Sequence, residues 1–171
     1  DGNASVSFRN NADNAYNGRI ATDDTSMNFQ VNGSERMRLS GGNLLVGKTD
    51  ADNTTVGIRM LGSSGFGSFV RDGNTPVVLN RLSSDGEILR FDKDSTTVGS
   101  IGTRASQLSI GSADTGLEFN NANDNVLPHN TSTNGGRDAA IDLGASGTRF
   151  KNLYLSSAVR WYSGSNQKAY H

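Results

Sequence analysis

A few groups of residues in this chain have types and spacings that could do chemistry. Gly42-Asn43-Leu44-Leu45-Val46-Gly47-Lys48-Thr49 follows the pattern G-x-x-x-x-G-K-[ST]. In a phosphate-binding loop, backbone N–H groups of that turn cradle the phosphates and a helix starts at the Lys. Here Leu-Leu-Val favours a strand, and the continuation Asp50-Ala51-Asp52-Asn53-Thr54-Thr55-Val56 is a poor helix, so the match reads as an accident. Asp50-Ala51-Asp52-Asn53 and Asn121-Ala122-Asn123-Asp124-Asn125 offer oxygens to a calcium ion. A calcium loop spreads its ligands over about twelve residues and closes on a bidentate Glu, which neither cluster has. Turn chemistry accounts for both, and no metal or other cofactor is expected. His129 and His171 are too far apart in sequence to suggest a ligand pair. His129, beside Pro128, is expected in a surface loop, with a meeting of its own copies on a symmetry axis as the lesser reading. Asp85, Glu87, Asp92 and Asp94 could supply acid and base, but their alternate positions suit turns and strand faces. No nucleophile elbow and no zinc pattern accompanies them, so the chain is expected not to be an enzyme.

The flat aromatics form the last group. The single Trp, Trp161, and three of the four Tyr residues, Tyr154, Tyr162 and Tyr170, crowd the C-terminal end. Trp161, Tyr162 and Tyr154 are the candidates for a binding surface, since such rings stack on sugar faces at little entropic cost. Core packing is the alternative, evenly matched for Trp161 and Tyr162 and the heavier reading for Tyr154 and Phe150.

The elements that must position these residues are short strands. An apolar-x-Phe beat recurs at Met27-Asn28-Phe29, Leu89-Arg90-Phe91 and Leu117-Glu118-Phe119, with Val6-Ser7-Phe8 as a looser copy. A second apolar strand follows each strong copy, reached at Met37, Val98 and Val126. Period-two alternation puts both apolar residues of a beat on one sheet face. Strands are predicted over 5–8, 19–21, 27–31, 36–39, 43–46, 56–61, 67–70, 77–80, 88–91, 97–101, 107–110, 116–119 and 125–127. Residues 149–154 are predicted to make one helical turn leading into a strand, and 130–137 a polar linker. The chain divides on this reading into an N-terminal β-rich segment (1–49), a β-repeat segment (50–134) and an aromatic-rich terminal segment (135–171).

The material for a core is thin. Leu, Ile, Val and Phe make roughly a fifth of the residues, near the level at which highly charged chains stay disordered. The net charge is only −1, from 16 basic and 17 acidic residues, so repulsion does not oppose compaction. A chain with few bulky side chains best gains buried apolar area by packing copies together, which predicts an obligate homo-oligomer. Basic residues are scattered singly, against a nucleic-acid partner. No apolar run nears the roughly 20 residues that span a bilayer. The absence of Cys fits folding in a reducing cytoplasm, and an opening at Asp1 predicts a fragment or a processed product.

Three stretches resemble bacteriophage tail-fibre proteins. Ser34-Glu35-Arg36-Met37-Arg38-Leu39, followed by Asn43-Leu44-Leu45-Val46-Gly47-Lys48-Thr49, is similar to a phrase common in such fibres. Thr75-Pro76-Val77-Val78-Leu79-Asn80-Arg81, Ser84-Asp85-Gly86 and Val98-Gly99-Ser100-Ile101-Gly102 resemble their middle repeats. Arg137-Asp138-Ala139-Ala140-Ile141-Asp142-Leu143-Gly144, running on through Arg149-Phe150-Lys151-Asn152-Leu153-Tyr154-Leu155, is similar to the segment preceding a fibre's C-terminal end or its self-cleaving chaperone. The chaperone's Ser-Asp dyad is not seen here, and Phe150 stands where Trp is usual. The resemblance covers about two-thirds of the chain. It implies an all-β, intertwined homotrimeric fibre, of triple β-helix or β-prism type with almost no helix, made in the host cytoplasm and carried outside on the virion. Its partners would be its own copies, the rest of the fibre and a host surface glycan or protein, with no nucleic acid and no membrane insertion. Phe29, Phe91, Phe119, Met37, Val98 and Val126 are then expected in the trimer core. Host attachment, a purely structural shaft and, less favoured, a polysaccharide-degrading tailspike are the functions this leaves open.

Overall fold

The computed structural model describes residues 3–9, 16–157, 159, 161–163 and 166–168, with the backbone alone for 16 and for the last two groups. Among these residues the protein is all-β, and every strand pairing is antiparallel. The chain divides into two units, Asp1–Val78 and Leu79–His171.

The first unit is one seven-stranded sheet whose strands lie side by side in chain order: β1 (Ser5–Arg9), β2 (Tyr16–Thr22), β3 (Ser26–Val31), β4 (Ser34–Ser40), β5 (Asn43–Val46), β6 (Gly57–Leu61) and β7 (Phe66–Val70). The second holds a six-stranded sheet, also in chain order: β8 (Gly86–Lys93), β9 (Thr96–Arg104), β10 (Gln107–Ser112), β11 (Thr115–Asn120), β12 (Asn125–Asn130) and β13 (Gly135–Gly136). A hairpin of β14 (Trp161–Ser163) and β15 (Asn166–Lys168) follows. Two-residue turns with both residues at positive φ join neighbours: Asn32-Gly33 (φ 49° and 73°), Asp94-Ser95 (50° and 63°) and Ala105-Ser106 (48° and 62°). That geometry matches the right-handed twist of the strands it connects.

The register sorts the side chains, because directly opposed residues share a face. One row crosses all seven strands of the first sheet: Val6, Ile20, Phe29, Met37, Val46, Ile58 and Phe69. The adjacent row, on the other face, reads Ser5, Ala21, Asn28, Arg38, Leu45, Arg59 and Ser68. The second sheet repeats the contrast, with Leu89, Ile101, Ile110, Leu117 and Pro128 in one row and Glu87, Gly102, Ser109, Glu118 and Leu127 in the next.

Burial runs opposite to the usual sense. The polar faces hold the covered residues, among them Asn28, Asn43, Ser109, Glu118 and His129, while Ala21 and Leu45 are the only buried hydrophobic residues among those described. In the apolar rows Val6, Phe69, Ile110, Leu117 and Pro128 are exposed and the other members are half-buried. The chain exposes 13126 Å². A folded monomer of 18.1 kDa exposes roughly 8100 Å², and even two separate units of half that mass would expose roughly 9700 Å².

Several elements differ from the sequence-based expectation. Residues 77–80 form no strand: among the described residues none pairs with them. Residues 149–155 are neither a helical turn nor a strand, and the only bridge there joins Ala145 and Thr148. The stretch 130–137 is not a linker: it ends β12, turns, and returns as β13, with His129 opposite Gly136. The unit boundary falls at 78/79, where sequence placed divisions at 49/50 and 134/135. The first sheet continues from β5 to β6 across the former, and the β12–β13 hairpin spans the latter.

Candidate functional site

The surface most out of keeping with a self-contained protein is the apolar face of the two sheets. Phe29 and Met37 are directly opposed on β3 and β4, in the middle of the seven-residue row. Phe119 and Val126 are directly opposed on β11 and β12, with Leu108 on the other side of Phe119. Phe91 faces Gly99, whose missing side chain leaves one flank of the ring bare, and Val98 is the extra residue of the bulge beside that pair. Within one chain, Phe91, Val98, Phe119 and Val126 are 47%, 49%, 41% and 54% exposed. All six residues expected to fill a shared core thus lie on strands; these four are exposed, and Phe29 and Met37 are half-buried. The rows themselves contain no charged residue. A copy of the same face therefore meets no like-charge repulsion there. An exposed, uncharged apolar row on a sheet marks an interaction site.

The opposite faces are held by their own polar contacts. In the first sheet Arg59 donates from Nε to Asn43 Oδ1 at 2.9 Å, and its guanidinium lies 5.7 Å from the centroid of the Phe66 ring. In the second, Arg104 Nη1 lies 2.6 Å from Glu118 Oε2. His129 is fully buried on β12, not in a surface loop: Pro128 takes the apolar face, and alternation turns His129 to the polar one. Its Nδ1 is 3.9 Å from Glu118 Oε2, and neither ring nitrogen has a hydrogen-bond partner within the chain. The ring borders a cavity of about 60 Å³ whose lining includes Ser100, Gly102, Ser109, Thr131 and Asn134. Gly111 and Gly116 are opposed on β10 and β11, where a Cβ on Gly111 would sit 2.5 Å from Gly116 Cα and 2.9 Å from Thr131 Cγ2. Glu118 and His129 were legible only through alternation, since each follows an apolar-face residue directly.

The other chemical candidates resolve into local structure. Residues 43–46 of the phosphate-loop match are β5, and no helix follows. The Lys48 ammonium, wholly buried, donates to the carbonyls of Asp52 (2.8 Å) and Thr55 (3.0 Å) and to Asp52 Oδ1 (3.2 Å). The Asp52 carboxylate accepts from Thr54 N–H, Thr55 N–H and Thr55 Oγ1, and the Thr55 backbone bond leads in holding its pKa well below the usual carboxylate range. Asp23 makes the same kind of turn with Thr25 and Ser26, and the Ser26 hydroxyl leads in lowering its pKa to about 2. Among the described residues no group of three or more His, Cys, Asp and Glu is placed to hold a metal ion. Asp85 accepts from Ser106 N–H at 3.2 Å, a bond that lowers its pKa, the opposite of what a general acid needs. Asp92 pairs with Arg90 and accepts from Thr97 Oγ1, Asp94 pairs with Lys93, and Glu87 is exposed on β8.

Of the aromatic candidates, Tyr154 is 86% exposed and its hydroxyl accepts from Asn152 Nδ2 at 3.0 Å. Phe150 is also exposed, so neither packs into a core within its own chain. The side chains of Trp161 and Tyr162 lie outside the described residues. The chain matches no protein-family model, no curated protein and no solved structure.

Proposed function

We propose that this chain is a homotrimeric, structural and host-attachment segment of a bacteriophage tail fibre, carried on the virion and binding a bacterial surface receptor, most simply a polysaccharide. The observation that carries the reading is the uncharged apolar row of each sheet, left half-buried to exposed, while the fully buried side chains are mostly polar ones on the opposite faces. A chain built this way has no sufficient core until copies of itself supply one. Its accessible surface is about 3400 Å² larger than that of two self-contained units of its mass. The threefold order, the virion and the receptor come from the resemblance of its sequence phrases to tail fibres. In this reading Phe29, Met37, Phe91, Val98, Phe119 and Val126 fill the space between chains, and the terminal aromatics Tyr154, Trp161 and Tyr162 meet the receptor.

The test is mass in solution by light scattering, followed by binding of the intact chain to host cells and to a glycan array. Three copies per particle and glycan binding lost in Trp161→Ala are the expected results. A trimer that binds no host cells leaves the chain a shaft. Release of reducing ends from host capsule would make it a depolymerase, and a monodisperse monomer would overturn the proposal.

A further inference from the structure

On the polar face of the first sheet one row crosses β1 to β4: Ser7, Arg19, Gln30 and Glu35, each directly opposite the next. Arg19 is half-buried there and makes no hydrogen bond or ion pair with any described residue. The other half-buried arginines among the described residues each have a partner. Arg38 holds Glu35, Arg59 donates to Asn43, Arg104 pairs with Glu118 and Arg137 with Asp114. The one acid of the row is thereby taken, since Arg38 engages both Glu35 oxygens at 2.8 and 2.7 Å. Arg19 instead lines a surface cavity of about 370 Å³ together with Ser5, Ser7, Gln30, Asn32 and Gly33. That volume falls within the roughly 300–1,000 Å³ of small-ligand sites. None of the residues lining it is acidic, so Arg19 leaves it positively charged.

We infer that this cavity binds the anionic group of an acidic saccharide, a carboxylate or a phosphate carried on a sugar ring. A guanidinium is always charged, and its planar fork matches either group with two parallel hydrogen bonds. With no acid of its own chain to pair with, Arg19 takes its partner from outside. The Ser5 and Ser7 hydroxyls and the Asn32 amide both donate and accept, as the hydroxyls of a sugar require. Basic residues are scattered singly along the chain, which gives a polynucleotide backbone no track to follow. The inference deepens the receptor reading proposed above and rests on it: the polysaccharide is acidic, and the first unit contacts it in addition to the terminal aromatics. Val6, Ile20 and Phe29 occupy the other face of the same strands, so packing of the apolar row between copies leaves the cavity open.

Calorimetric titration of the intact chain tests the inference with two pairs of probes: oligogalacturonate against its methyl ester, and mannose 6-phosphate against mannose. The charged member of at least one pair is expected to bind about tenfold or more tightly than its neutral counterpart, and the pair that does so tells carboxylate from phosphate. Arg19→Gln is expected to weaken that charged probe about ten- to a hundredfold, the worth of a hydrogen bond to a charged group. Arg19→Lys is expected to restore only part of the loss, because an ammonium lacks the fork. Arg36→Gln, at an exposed arginine of β4, is expected to leave binding unchanged. Equal binding within both pairs, or a preference that survives Arg19→Gln, overturns the inference. If a glycan array then still shows binding that Trp161→Ala removes, the receptor reading stands without it. A trimer that binds no glycan and no host cell overturns both. Should Arg19→Gln fail to assemble, discrimination within each pair by the parent chain decides.

Discussion

Phe29 and Met37 stand opposite each other across β3 and β4, at the centre of an apolar row that reaches from β1 to β7. On the other face, one residue away from each, lie Asn28, buried, and Arg38, paired with Glu35 at 2.7 Å. The sheet thus keeps its polar side for itself and offers its apolar side. A charge placed in the row would have to be desolvated in every copy that packs there. Phe29→Asp is therefore expected to convert the assembly to monomer or to insoluble chain, read by light scattering. A soluble assembly of parental mass would show that this row is not the interface.

The two Asp-x-Thr-[Ser/Thr] turns, at Asp23 and Asp52, give acid sensitivity with a defined sign. Asp23 titrates at about 2 in the folded chain and near 3.9 when unfolded. Its contribution to stability is fully present above the unfolded value and is lost as pH falls through the folded one. Asn in its place lacks the charge. The melting-temperature gap between the parent and Asp23→Asn is expected to be constant from pH 5 to 7 and to close between about pH 4 and 2. A gap that does not change over that range would mean the carboxylate is not held by the turn.

Much of the fold was legible because alternation is a local signal. The three apolar-x-Phe beats fall on β3, β8 and β11, and Asn32-Gly33 is the turn its residues announce. Ala105-Ser106 adopts the same positive-φ geometry with residues that do not advertise it, because the register of β9 and β10 imposes the turn. Residues 77–80 read as a strand and are not one in a single chain, since a strand needs a neighbour and strand propensity does not supply it. His129 was misplaced because Pro128 suggested a loop. Pro128 in fact sits opposite Leu117 on the apolar face, leaving His129 to the covered one. The unpartnered apolar rows could be anticipated from composition, but which face turned outward needed the register.

The Arg104–Glu118 pair is unequal, with the Arg side chain 35% exposed and the Glu side chain 3% exposed. Removing the cation leaves a buried carboxylate short of its partner beside His129, a loss of about 1–3 kcal/mol per chain. Removing the carboxylate leaves a guanidinium that water still reaches, so the loss is expected to be smaller. Arg104→Ala should therefore unfold at lower urea than Glu118→Gln, compared at one chain concentration because assembly makes stability concentration-dependent. The reverse order would place solvent at Glu118.

Lys48 separates a phosphate-loop reading from a structural one. Its ammonium is buried and committed to the Asp52 and Thr55 carbonyls, which closes the loop carrying the chain from β5 to β6. A phosphate-binding lysine must instead be free to reach a ligand at a helix start, and the chain after Lys48 makes bends. Charge-assisted hydrogen bonds of this kind are worth about 1.5–3 kcal/mol. Lys48→Met is expected to lower stability by that order in each chain, read by denaturant midpoint. Parent and variant alike are expected to give no heat with magnesium-ATP in a calorimeter. Saturable nucleotide binding in the parent that vanishes in Lys48→Met would restore the phosphate reading and remove the structural one.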